Sequence, residues 1–261
     1  MIPNRKAQKL KVKPVLSTRS RIERSAKVYR RSVNSRTKHI PTIEPKKVIS
    51  YPKRNKSLPT RPVERIWDGE TVFLIGGGPS LKDADWNKLA GKKTIAINKS
   101  FISYPNADIL YWTDSRFYSW YKQKIDEYQG LKYTVRYSVN LTDDVKLLNR
   151  GKRYGLETRN DTIAHGNNSG YAAINLAYHL GAKRIVLLGY DMGNVKGESH
   201  FHGGYPIKAT NDDIYEKQFI PGFDQLKDEL KEKNIEVWNA CLTSKLLAFP
   251  KISLRRGLNF T

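Results

Sequence analysis

Residues 71–80, TVFLIGGGPS, decide the fold of this chain. An apolar, β-branched run passes directly into three glycines, a proline and a serine, which reads as a strand entering a tight loop. The same punctuation recurs outward from it. Residues 93–98 (KTIAIN) and 108–113 (DILYWT) read as a second and a third strand, the third followed by an aromatic helix to about residue 128. Residues 133–137 predict a fourth strand, 184–190 (RIVLLGY) a fully apolar one, and 235–238 a last one. Residues 168–180 (NSGYAAINLAYHL) predict a helix closed by Gly181. Residues 212–233 read as a charged helix interrupted at Pro221-Gly222. Directly behind the glycine loop, Ser80 and Asp83 have capping-box spacing, which predicts a helix over 81–89. Strands alternating with helices, several of them continuously apolar, give an α/β class: a Rossmann-like, mostly parallel sheet with helices on both faces.

In such a sheet, ligands bind beyond the carboxyl ends of the strands, so the residues after each strand carry the functional information. Gly76, Gly77, Gly78, Pro79 and Ser80 allow close backbone approach to a phosphate, helped by the N–H groups of the helix expected behind them and by Lys82. The spacing is neither a Walker A loop nor a G-x-G-x-x-G fingerprint. Asn98 ends the second strand, where an amide offers both a donor and an acceptor to a base or ribose; capping is the plainer alternative. Asp114 follows the third strand and suits either a ribose hydroxyl, a metal–diphosphate or a helix N-cap. Asn168, Ser169 and Gly170 open the 168–180 helix as a second candidate anion site. After the 184–190 strand come Asp191 and the histidines His200 and His202, the candidate catalytic residues. A histidine suits a general acid or base, because its pKa lies near working pH. His165 is a weaker candidate, and His179 sits inside a helix as a structural residue. No third ligand accompanies the two histidines, so no metal site is assigned. G-x-S-x-G is absent and Cys241 has no neighbouring histidine, which argues against covalent catalysis.

The charge divides the chain into two parts. The 261 residues carry 47 Lys+Arg against 25 Asp+Glu, a net +22. Residues 1–65 hold 20 Lys/Arg, three acids and two aromatics, a net +17, whereas residues 66–261 hold 27 and 22, a net +5. The expected organisation is therefore a basic, largely disordered arm over 1–65 and a near-neutral Rossmann-like domain over 66–261. The arm suits phosphate contacts with nucleic acid or another polyanion, an anionic membrane face, or organelle targeting; a solvated tether is the plain alternative. One cysteine excludes a disulfide scaffold, and one Cys with five His excludes a zinc-finger array. There is no apolar run of membrane-spanning length and no secretory signal, so a soluble, cytoplasmic protein is expected.

Three stretches, FLIGGGPSLKDAD, IAIN and NNSGYAAINLAYHLGAKRIVLLGYDM, together resemble the bacterial family-42 sialyltransferases and their relatives. Those relatives include the motility accessory factor glycosyltransferases and the archaeal-type 6-hydroxymethyl-dihydropterin pyrophosphokinases. The resemblance covers about residues 70–254, and the ending NACLTSKLLAFPKISL looks like that of short, phage-encoded members. It implies transfer of a group from a nucleotide-activated donor, a CMP-sugar in the sialyltransferases, to an acceptor hydroxyl. By position, Gly77 to Ser80 would face the phosphate, Asn98 the nucleotide, and Ser169-Gly170 the base or ribose. The family's general base would fall near His200 or His202. The pyrophosphokinase branch implies ATP, with Mg²⁺ on Asp114 or Asp191. A third alternative is a phage nucleic-acid or virion-associated protein that keeps the fold without catalysis. One departure stands out: Gly77 occupies the place of an asparagine in the sialyltransferase Gly-Asn-Gly-Pro-Ser.

Overall fold

A computed structural model describes residues 59–135, 141–195, 197–206 and 213–260. These belong to one compact unit, Tyr51–Thr261. The basic segment up to residue 58 lies outside the described residues, as do positions 136–137 of the expected fourth strand.

The α/β expectation holds. Eight parallel strands form one sheet: β1 (Thr71–Ile75), β2 (Lys93–Ile97), β3 (Ile109–Trp112), β4 (Leu131–Val135), β5 (Val145–Arg150), β6 (Thr162–Ile163), β7 (Arg184–Leu188) and β8 (Glu236–Asn239), in the order β6-β5-β4-β3-β2-β1-β7-β8. β5 and β6 were not legible as strands. β5 (VKLLNR) has six residues, but Lys146, Asn149 and Arg150 break its apolar run, and β6 has two residues, too few to show a period.

From β1 the chain steps outward strand by strand to β6. It then crosses back to lay β7 on the free side of β1, with Ile75 opposite both Ala96 and Leu188. The order therefore reverses between β1 and β7, and a crevice opens at their carboxyl ends.

Period-two alternation puts the strands' side chains into two cores. Val72, Leu74, Ile95, Tyr111, Ile185 and Leu187 pack under helix α3 (Ser169–Leu180) and α4 (Phe223–Glu232). Phe73, Ile75, Leu110, Trp112 and Leu188 pack on the other face, under Leu81, Leu89, α1 (Ser100–Ser103) and α2 (Ser115–Glu127). A last short helix, α5 (Leu254–Leu258), adds Leu258 to that second core. α3 is buried on nearly every side, and Ala172, Ala173 and Ala177 let it lie close to the sheet. It starts at Asn168, whose side chain accepts from the Tyr171 N–H, and stops at Gly181 with φ 102°. Gly222, at φ 92°, separates α4 from a turn over Tyr215–Phe219, as the Pro221-Gly222 interruption predicts.

The expected helix over 81–89 does not form. Two short 3₁₀ turns replace it, Pro79–Leu81 and Trp86–Leu89, with extended Asp85 between them. Ser80 does not cap. Its N–H donates to Asp191 Oδ1 (2.9 Å) and its hydroxyl to Asp191 Oδ2 (2.7 Å), so a tertiary bond takes the group the capping box needed. The segment before β1 packs on the same unit. Arg61 N–H donates to the Leu147 carbonyl, Val63 N–H to the Asn160 carbonyl, and Val63 and Trp67 are buried.

Candidate functional site

A cleft of about 450 Å³ lies at the reversal point, lined by the ends of β1, β2, β3 and β7 and the start of α3. Gly76, Gly77, Gly78, Asn98, Asp114, Asn168, Ser169, Gly170, Asp191 and His200 all line it. Pro79, Ser80 and His202 do not line it but stand behind residues that do.

The glycine loop is fixed from below. Gly76 N–H donates to the Leu188 carbonyl (2.7 Å) and Gly78 N–H to the Gly189 carbonyl (2.9 Å). A Cβ on Gly78 would sit 1.9 Å from Asp191 Oδ2, so only glycine fits there. Burial pushes the Asp191 carboxyl up, and the two bonds from Ser80 oppose this. Asp191 thus ties the β1 loop to the β7 loop. With no helix behind the loop, the expected helix-dipole contribution to phosphate binding is lost. What remains is backbone: among the described residues, the Gly77 N–H has no partner, while its carbonyl accepts from Phe201 N–H (3.0 Å).

That last bond brings the histidine segment against the loop. The His200 and His202 rings stack at 5.0 Å and 22°. A Cβ on Gly77 would meet His200 Cδ2 at 2.9 Å and His202 Nε2 at 3.2 Å. The imidazoles therefore occupy the room an asparagine would need, which gives the sequence departure at Gly77 a physical reason. His200 Nδ1 lies 2.7 Å from the Ser199 hydroxyl. Burial, then the Lys99 charge, lowers the His200 pKa, so the ring is neutral at pH 7. His202 is buried and, among the described residues, neither ring nitrogen has a hydrogen-bond partner. Its pKa falls to about 3 through burial, His200 and Lys99.

The opposite wall consists of polar side chains. Ser169 Oγ lies 2.6 Å from Thr113 Oγ1 and donates to Asn98 Oδ1 (3.3 Å). The Tyr205 hydroxyl also engages the Asn98 side chain, and its ring stands edge-on to His200 and His202. Asn98, Asn167 and Met192 all line the cleft with positive φ, between 52° and 56°. Three such residues concentrate uncommon backbone conformations around one cleft, Met192 most clearly because its side chain gains nothing locally in that conformation. Asp114 caps α2 and forms an ion pair with Arg116 (2.6 Å). Burial acts to raise its pKa, but the bonds and charge of Arg116 prevail and hold it low.

Sequence reasoning missed Thr113, Tyr205, Trp120 and Met192. Tyr205 alone carried a signal, as an aromatic closing the glycine-rich HFHGGY segment. Lys82 is exposed and does not reach the cleft. His165 contacts Arg150, and His179 bonds the Thr162 carbonyl inside the core. Among the described residues, no three His, Cys, Asp or Glu side chains gather as a metal set, and no helix is long and apolar enough to cross a membrane. Comparison of the chain with protein-family models, with curated proteins and with solved structures finds no match.

Proposed function

We propose that this protein is a nucleotide-dependent transferase that moves a sugar from a nucleotide-activated donor to an acceptor hydroxyl. The observation that carries the reading is a neutral histidine, His200, on the wall of a cleft at the strand-order reversal, in contact with a glycine loop. In the tautomer whose Nδ1–H donates to the Ser199 hydroxyl, His200 Nε2 is the basic nitrogen. It takes the acceptor O–H proton as that oxygen bonds to the anomeric carbon. The bond from that carbon to the phosphate oxygen breaks, and its electron pair leaves with the nucleotide. Gly77 N–H and the open backbone of the loop suit the leaving phosphate. Asn98, Thr113, Ser169 and Gly170 suit the base and ribose.

The resemblance to the family-42 sialyltransferases supports the same reading. Pyrophosphoryl transfer from ATP is the weaker one, because it asks Asp114 or Asp191 to hold Mg²⁺. Asp114 is engaged by Arg116 and Asp191 by Ser80. A non-catalytic protein that binds nucleic acid through the +17 segment 1–65 remains the reading for a silent enzyme assay.

The test is nucleotide release from a panel of cytidine, uridine, guanosine and adenosine donors. Release of CMP or UDP that falls by roughly 10²–10⁴-fold in His200→Ala supports the proposal. AMP release from ATP, or no release from any donor, overturns it.

A further inference from the structure

We infer that Arg150 and Arg153 form an anion subsite beside the cleft-lining Asn167, which selects an acceptor bearing a phosphate group. The part about acceptor selection rests on the transferase reading; the subsite itself does not.

The subsite is built by backbone pairing. Past the end of β5, Gly151 N–H donates to the Ile163 carbonyl (2.8 Å), His165 N–H to the Lys152 carbonyl (3.1 Å) and Gly166 N–H to the Arg153 carbonyl (2.8 Å). This ladder brings Arg150 and Arg153 close enough to His165 for both charges to act on it. Arg150 Nη2 lies 3.2 Å from His165 Nδ1. The Arg153 guanidinium lies over the Tyr154 ring at 4.9 Å, and with the Asn167 amide oriented to satisfy its neighbours, Nη2 (2.8 Å) and Nε (3.2 Å) donate to the amide oxygen. Asn167 is the link to the cleft: it lines that space, and its positive φ of 56° belongs to the turn that offers its amide to Arg153.

Both guanidiniums are exposed, held by neutral partners, and, among the described residues, within ion-pair distance of no carboxylate. The nearest acids are otherwise placed. Glu229 accepts from Lys152 and the Leu156 N–H, and Glu157 lies over Gly151. Two arginine forks that, among the described residues, pair with no carboxylate match a phosphate oxyanion, which accepts several parallel N–H bonds. Tyr154 and Asn167 have already fixed Arg153, so less ordering entropy opposes binding than for a free surface arginine. His165 feels both charges. Burial, then Arg150 and Arg153, lowers its pKa, so it adds no competing positive charge and reports on what binds beside it.

The test uses the full chain and the imidazole ¹H–¹⁵N signals of its histidines. Inorganic phosphate is expected to shift the His165 signals saturably and leave those of His179 in place. The double variant Arg150→Gln/Arg153→Gln is expected to weaken this binding roughly tenfold or more, with unmoved His179 signals showing an intact fold. A second arm compares a hexose 6-phosphate with a thymidine dinucleotide, and the stronger binder at His165 identifies a phosphomonoester or a phosphodiester source. Unmoved His165 signals with every probe, or the same isotherm in the double variant, overturn the subsite. Nucleotides read at His200 keep the two proposals separate. If phosphate moves His165 and no nucleotide moves His200, the subsite stands and the transferase reading falls. The reverse pattern sinks the subsite alone.

Discussion

The two walls of the cleft are built on opposite principles. On the wall made by the β1 and β7 loops, most polar groups are already spent on each other. Gly76 and Gly78 donate to the β7 side, and Asp191 takes both donors of Ser80. On the wall made by Asn98, Thr113, Ser169 and Tyr205, hydroxyls and an amide meet the open space directly. The first wall is a rigid backbone surface shaped by missing side chains. The second is a set of exchangeable hydrogen-bonding groups. Damage to the first should therefore cost fold, and damage to the second should cost recognition.

Gly78→Ala is the strongest way to break that contrast. Its Cβ would lie 1.9 Å from Asp191 Oδ2 and 2.6 Å from the Gly189 carbonyl oxygen, and neither atom is free to move. We expect a loss of about 3 kcal/mol or more in unfolding free energy, read from urea denaturation. Gly203→Ala, with no described residue within 4 Å of its Cβ, should leave the midpoint where it is. Equal behaviour of the two variants would mean that the β1 loop is not the rigid wall described. Gly77→Ala sharpens the contrast. Its Cβ meets the ends of two imidazole rings rather than backbone, so the rings can yield. Stability should fall by about 1 kcal/mol, while nucleotide release should fall by roughly 10²-fold as His200 is displaced. A variant with full turnover would detach His200 from the chemistry.

The histidine pair gives the rigid wall a pH dependence. His202 has a folded-state pKa of about 3 against an ordinary value of 6.5. Between those values the unfolded chain binds a proton at this side chain that the folded protein refuses. Its contribution to stability is present above pH 6.5 and is lost as the pH falls toward 3. At about 1.4 kcal/mol per pH unit, the loss between pH 6.5 and pH 5 is on the order of 2 kcal/mol. His200 and His179, both lowered by burial, act in the same direction. His202→Phe keeps the ring contacts and removes the titration, so its stability should decline less steeply below pH 6.5 than that of the parent. Parallel profiles would show that His202 is solvated and protonates freely in the folded state.

How far the sequence could be read follows the same division. Strands β1, β2, β3 and β7 were legible because burial on both faces leaves a continuous apolar run, and α3 because its cap, its alanines and its closing glycine agree. The glycine loop and His200 were legible as residues that follow strand ends, where the cleft lies. The helix over 81–89 was misread because the capping box is a local signal, and the partner that overrides it, Asp191, lies 111 residues away. Thr113 and Tyr205 were missed for a related reason. Neither has a spacing that marks it, and their places in the site come from β3 and the β7 loop meeting in space. The room taken at Gly77 by two imidazoles is likewise a fact of packing that no spacing encodes.

Ser169→Ala makes the smallest change to the second wall. It removes one hydroxyl that lies 2.6 Å from Thr113 Oγ1 and donates to Asn98 Oδ1. The backbone of α3 is untouched, because the cap is Asn168 and its bond to the Tyr171 N–H remains. A lost neutral hydrogen bond of this kind costs about 1 kcal/mol, and Thr113 can turn its hydroxyl to the cleft instead. Unfolding should therefore shift by 1 kcal/mol or less on that scale. The Asn98 amide, freed on one side, should hold a nucleotide less well, by roughly fivefold in Kd at constant maximal release rate. That split is the signature of a wall that recognises rather than supports. If Ser169→Ala instead destabilises the protein as much as Gly78→Ala, the two walls share one structural role.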